Sequence, residues 1–248
     1  MEINIAKTRL EEIQELRILF LHENNFQFVH NKCHTYNWAD TYLFESGDIK
    51  IGYASVWGKD KREDRDAIFE FYLIPTFRKF SHLIFPKLAA ACKAPYVECQ
   101  SNDALLSSML FGYANNIYAE AILFEDKFET NFEIPGTIFR RQRKEDALDE
   151  NAGEYVLEQN ETVVATGGFV RNYNLPYIDM FYEVKENFRK KGFGSLMVRE
   201  LKKEAYRMAR VPAARCNINN HASKATLIKA GLEVCGYILI GEIKKYAE

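Results

Sequence analysis

The run Arg189-Lys190-Lys191-Gly192-Phe193-Gly194-Ser195 has the composition of an anion-binding turn. It follows an apolar stretch, Tyr177 to Val184, and precedes one in which Leu196, Met197, Leu201, Ala205 and Met208 recur at helical spacing. A turn between strand and helix exposes unpaired N–H groups and a partial positive charge at the helix start. Such a place accepts a phosphate-like anion. Glycine lets oxygens approach the backbone and permits a positive φ. Arg189 adds a charge-assisted donor beside the same anion. Glycines before a helix also serve as plain turn residues, so this run alone leaves both readings open.

A second run, Asn220-His221-Ala222-Ser223 followed by Lys229-Ala230-Gly231-Leu232, opens another helical stretch. Asn220 is a natural helix N-cap, and its amide could also meet a ligand. Two carboxylates, Asp179 and Glu183, lie four residues apart on the strand before the glycine run and should share one face. Glu183 is nearer the strand's end and is the candidate general base. The other reading of Glu183 is a carboxylate that pairs with a neighbouring cation.

Taken together, a strand ending in Val-x-x-x-x-Arg-x-x-Gly-x-Gly, a helix, and then Asn-x-x-Ser with Lys-x-Gly-Leu resemble the GNAT superfamily of N-acetyltransferases. The resemblance covers Tyr177 to about Gly241 well and the N-terminal half only in outline. It implies acetyl-CoA as acyl donor, with the backbone of Lys191, Gly192, Phe193, Gly194 and Ser195 around its pyrophosphate and Arg189 and Lys190 nearby. It implies that the strand through Tyr182, Glu183 and Val184 splays from the strand Ala213–Ile218, leaving an edge along which pantetheine would lie. Asn220 and Ser223 would contact the cofactor arm. The reaction implied is direct attack of a primary amine, on a small molecule or a protein, upon the acetyl carbonyl. Many family members carry a tyrosine as acid where this chain has Leu227. Tyr182, or water, is then expected to protonate the departing thiolate.

The elements that must position these residues occur twice. Phe71-Tyr72-Leu73-Ile74-Pro75-Thr76-Phe77-Arg78-Lys79 matches Phe181 to Lys190 in order, and each run leads into a helical stretch. A short cysteine-bearing strand, an asparagine (Asn102, Asn220), a further helix reaching Gly112 or Gly231, and an apolar strand complete each copy. The spacing places a short insertion in the second copy, around Val211 and Pro212. Ser81 and Leu83 stand where Gly192 and Gly194 would be, so the first copy reads as degenerate, kept for packing or for shaping the acceptor cleft. Thr8 and Glu11 have capping-box spacing before the first helix. Strands alternating with helices, with adjacent hairpins, predict an α/β (α+β) architecture with a mixed sheet in each half. The expected division is 1–130, a degenerate GNAT-like domain, and 131–248, the coenzyme A-binding domain.

Composition narrows the remaining classes. A formal net charge of -2 gives no reason to expect nucleic acid or membrane as a partner, even with the basic run Arg140 to Lys144. No apolar window approaches the length of a membrane span, and the N-terminus lacks a signal-peptide pattern. Five cysteines without a C-x-x-C pair predict reduced thiols and a cytoplasmic protein. His22, His30, His34 and Cys33 fit no strong zinc spacing, and no metal is expected. Two other functions stay open. One is aminoacyl transfer from charged tRNA, disfavoured by the intact glycine loop. The other is a non-catalytic acyl-CoA sensor or interaction module.

Overall fold

The computed structural model describes residues 2–27, 30–146, 148–149 and 152–244. The chain forms two compact units, Met1–Ala121 with Gly236–Glu248, and Ile122–Cys235. The division falls inside the strand Ala114–Asp126, and the residues from Gly236 onward join the first unit. No helix among the described residues is long and apolar enough to cross a membrane.

In the first unit the elements run β1 (Asn4–Thr8), α1 (Leu10–Leu21), α2 (His30–Thr35), β2 (Asp40–Ser46), β3 (Ile49–Trp57), β4 (Ala67–Leu73), α3 (Ser81–Cys92), β5 (Tyr96–Gln100), α4 (Ala104–Tyr113) and the start of β6 (Ala114–Asp126). Strands β1 to β4 pair as an antiparallel meander, and β4 pairs β5 in parallel at Ala67–Ile68. The other neighbour of β5 is the chain's last strand, β12 (Leu232–Ile243), antiparallel from Ile238↔Gln100 to Glu242↔Tyr96. One face of this sheet carries Ile68, Phe71, Leu73 and Val97 against Ile84, Phe85 and Leu88 of α3 and Leu106 and Met109 of α4. The other carries Tyr53 and Tyr72 against Ile13, Leu16 and Phe20 of α1.

That second face also holds a buried polar group. Glu70 is fully buried and accepts from Arg17 Nε at 3.2 Å and Ser55 Oγ at 3.0 Å, with His34 Nε2 at 3.0 Å. His34 therefore belongs to a carboxylate network; the His30 side chain lies outside what the structure describes. Thr8 ends β1, and the N-cap of α1 is Arg9 with no side-chain bond, so the expected capping box does not form.

The second unit repeats the scheme with fewer opening elements: β7 (Thr137–Arg141), β8 (Tyr155–Gln159), β9 (Thr162–Val170), β10 (Tyr177–Val184), α5 (Phe193–Arg207), β11 (Val211–Asn217), α6 (His221–Lys229) and the start of β12. Neighbouring strands run β7-β8-β9-β10-β11-β6. Val211 and Pro212, expected in a loop, are the first residues of β11 and pair Tyr177 and Ile178. Helix α5 packs Phe193, Met197, Val198, Leu201 and Ala205 onto one sheet face with Ile178, Met180, Val164 and Leu227. Each copy's last strand thus contributes to the other unit: Ile122–Asp126 of β6 lies in the second, Gly236–Ile243 of β12 in the first.

Candidate acyl-donor site

The site is built where β10 leaves β11. Strand β10 pairs β9 from Asp179↔Val170 through Val184↔Ala165. It pairs β11 only at Tyr177↔Val211, Ile178↔Pro212 and Asp179↔Ala213. From Met180 onward the edge of β10 facing β11 has no ladder partner. Pro212 can accept but not donate, which weakens pairing just where the strands part. The opening is a strand-shaped slot with free backbone groups, suited to an extended polar chain.

The slot runs into the glycine turn. A single 3₁₀ turn, Glu186–Phe188, follows β10. Lys190 then takes φ +62° and Gly192 φ +92°, both left-handed. Gly192 is the N-cap of α5 and has no side chain to bond the first turn. The first helical bond is Leu196 N–H to Gly192 O at 3.0 Å, so the N–H groups of Phe193, Gly194 and Ser195 have no partner within the helix. Arg189, Lys190 and Lys191 stand exposed around them. Arg189 donates from Nε to Val184 O at 3.0 Å, which ties the turn to the strand end. Lys191 Nζ lies 5.3 Å from the Phe188 ring centroid.

The two glycines are required for different reasons. A Cβ on Gly192 would find room, the nearest atom being Ile134 Cδ1 at 3.6 Å, so its left-handed backbone is the constraint. A Cβ on Gly194 would stand 3.0 Å from Thr226 Cγ2 and 3.3 Å from Tyr182 Cε2. These features fit a pyrophosphate-bearing ligand: unpaired N–H groups, three cations, and backbone bare of side chains. The first unit has no such cradle. Its 3₁₀ segment Pro75–Phe80 runs directly into α3, and no described residue between Arg65 and Lys93 has a positive φ. The residue capping α4 is Asp103, one place beyond the asparagine expected there.

Helix α6 closes the other side. Asn220 Oδ1 accepts from Ser223 N–H at 3.0 Å, so the N-cap reading is realised, while Nδ2 is the donor that remains. Ser223 Oγ lies 3.2 Å from Tyr182 Oη. Alternation along β10 sends Tyr182 toward the helices and Glu183 to the opposite face. Burial pushes the Tyr182 phenol above its ordinary range, and hydrogen bonds from Ser223 and Thr226 counter that push. Glu183 is well exposed, with Arg189 Nη2 4.0 Å away. Asp179, on its face, is buried. Leu227 is sunk in the core, away from any acid role.

The structure links Val184 to Arg189, Tyr182 to Ser223 and Gly194, and Asn220 to Ser223, with Lys190, Lys191, Gly192, Phe193, Gly194 and Ser195 forming the turn into α5. The side chains of Phe193 and Ser195 point inward: Phe193 is buried, and Ser195 Oγ donates to Thr226 O at 3.1 Å. Their contribution to a ligand is therefore backbone. Sequence reasoning missed Thr226 and Cys216. Thr226 follows Ser223 by three residues and so shares its helix face. Cys216 is buried on β11, and burial pushes its thiol up while a hydrogen bond with Ser223 opposes it.

Residues 119–231 match the acetyltransferase (GNAT) family. No curated protein matches the chain. Among solved structures, a GNAT-family acetyltransferase from Colwellia psychrerythraea superposes with TM-score 0.75 at 14% identity, covering 98% of this chain and 100% of that one. A tandem GNAT protein from the clavulanic acid biosynthesis pathway gives 0.62 at 11% identity, covering 99% and 100%. A GCN5-related N-acetyltransferase from Sphaerobacter thermophilus gives 0.55 at 13%, covering 84% and 82%. At these identities the likeness is one of fold.

Proposed function

We take the GNAT acetyltransferase segment at residues 119–231 and the GNAT fold of the chain as premise, and propose that the protein transfers an acetyl group from acetyl-CoA to a primary amine. The observation that carries this reading is the β10–β11 slot leading into the uncapped, glycine-lined start of α5. Acetyl-CoA supplies an activated thioester. The cradle of Lys191 to Ser195 would hold its pyrophosphate, with Arg189 and Lys190 adding charge. The free edge of β10 through Tyr182 and Val184 would hold its pantetheine by backbone hydrogen bonds.

In this reading the amine attacks the acetyl carbonyl directly. The new C–N bond forms as the C–S bond breaks, and the amine proton passes to Glu183 or through water to solvent. A backbone N–H along Tyr182–Val184 would meet the developing oxyanion. Tyr182 is the proposed acid for the departing thiolate. Its hydroxyl lies 3.2 Å from Ser223 Oγ at the start of α6, and burial pushes the phenol further above its ordinary range. The exposed position of Glu183 beside Arg189 favours a supporting role for this carboxylate.

The test is thiol release from acetyl-CoA in the presence of a panel of primary amines and amine-bearing peptides. Amine-dependent release supports the reading. Binding of acetyl-CoA without release on any amine would support the acyl-CoA sensor, which the loss of the family's tyrosine at Leu227 favours.

A further inference from the structure

The phenol of Tyr182 has a seat that the family pattern does not describe. Its ring lies between the backbone of Gly194, where a Cβ would come within 3.3 Å of Cε2, and the first turn of α6. Its oxygen lies 3.2 Å from Ser223 Oγ, and the Thr226 hydroxyl also favours its ionised form. Ser223 and Thr226 are three residues apart on one helix face. The Ser195 hydroxyl bond to Thr226 O fixes that face against α5. Where many relatives would place a phenol on α6, this chain has Leu227, buried in the core.

We infer that Ser223 and Thr226 are positioning residues for Tyr182: they aim its hydroxyl and stabilise the phenolate left when its proton passes to the departing thiolate. Gly194 is then glycine partly to admit the ring. The inference rests on the acetyl-transfer reading above. In the step, the Tyr182 O–H bond breaks and its proton joins the sulfur. The electron pair stays on the phenolate oxygen, and the two hydroxyls donate to it. The proton shed by the amine returns to the phenol through solvent. The physical need is plain: burial makes this phenol a poorer acid, and two donors to its ionised form offset part of that cost. Ser223, expected to touch the cofactor arm, is assigned here to the phenol.

The experiment compares Tyr182→Phe, the pair Ser223→Ala with Thr226→Val, the triple variant, and the conservative pair Ser223→Thr with Thr226→Ser. Hydrogen bonds to a charged group correspond to about a tenfold or greater loss in rate. The Ala/Val pair should therefore lose about tenfold in kcat with the KM for acetyl-CoA within about twofold. The triple variant should be no slower than Tyr182→Phe, because the three groups act as a unit. The conservative pair should recover activity. A triple variant whose losses multiply, or a pair whose loss sits in the KM for acetyl-CoA, overturns the inference. A second readout needs no turnover. Phenolate absorbance near 295 nm, taken as wild type minus Tyr182→Phe and as the Ala/Val pair minus the triple variant, should show a higher Tyr182 midpoint in the pair. An unmoved midpoint overturns the inference even if the acetyl-transfer reading fails for lack of turnover.

Discussion

Replacing Asp103 by asparagine should stabilise the first unit above neutral pH. Asp103 caps α4, its Oδ1 accepting from Leu106 N–H at 3.0 Å. Its Oδ2 is buried with no hydrogen-bond partner, and the residue is 4% exposed. Burial pushes the carboxyl from 3.8 up to about 7, with the charges of Glu23 and Glu70 adding to the push. Each pH unit of such a displacement corresponds to about 1.4 kcal/mol, so the ionised form costs on the order of 4 kcal/mol at most. The folded state holds the proton longer than the unfolded chain. Stability from this group is therefore full below pH 3.8, falls as pH rises toward about 7, and is flat beyond. Asparagine caps helices as well as aspartate, and Asn220 does so at the matching position of α6. Asp103→Asn should match wild type near pH 4 and exceed it by up to about 4 kcal/mol at pH 8. Both tryptophans, Trp38 and Trp57, lie in the first unit, so urea titrations followed by tryptophan fluorescence report on it. A variant less stable than wild type at pH 8, or one whose stability difference does not change between pH 4 and 8, would refute the reasoning.

Two further perturbations separate structure from ligand contact. Asn220→Ala should cost about 1 kcal/mol through loss of the cap, whereas Asn220→Asp should keep stability and weaken acetyl-CoA binding by replacing Nδ2 with an anionic oxygen; equal binding by both forms would leave Asn220 a cap only. Arg17→Met should lower stability by about 3–5 kcal/mol, because it strands the fully buried Glu70; a loss below about 1 kcal/mol in urea titration would mean that the carboxylate is neutralised by other partners.

The sequence carried much of this arrangement in local patterns. The strands at Thr137–Arg141, Thr162–Val170 and Tyr177–Val184 are bounded as their alternation and flanking turns imply. The glycine turn was legible only together with the Asn220 to Ser223 run that follows it, since glycines before a helix also serve as plain turn residues. What escaped depends on distant partners. Pro212 joins a strand although proline argues against one, and the parallel ladder it belongs to is only three pairs long. Thr8 looked like a cap, but β2 holds it in a strand, with the Thr41 hydroxyl on its carbonyl. The destination of β12 beside β5 is a pairing choice between two equally apolar strands, invisible to periodicity. The Tyr182–Ser223 pair joins residues 41 positions apart, so spacing alone gave no sign of it.

The proposed function requires that one unit, and not both, binds acetyl-CoA, through the start of α5. Calorimetry of acetyl-CoA with the full chain tests it most directly, on wild type and on Arg189→Glu with Lys191→Glu, two exposed positions whose reversal leaves the core untouched. The expected result is one equivalent bound per chain by wild type and at least about tenfold weaker binding by the charge-reversed form. Absence of binding by folded wild type, two equivalents per chain, or unchanged affinity after charge reversal would contradict it.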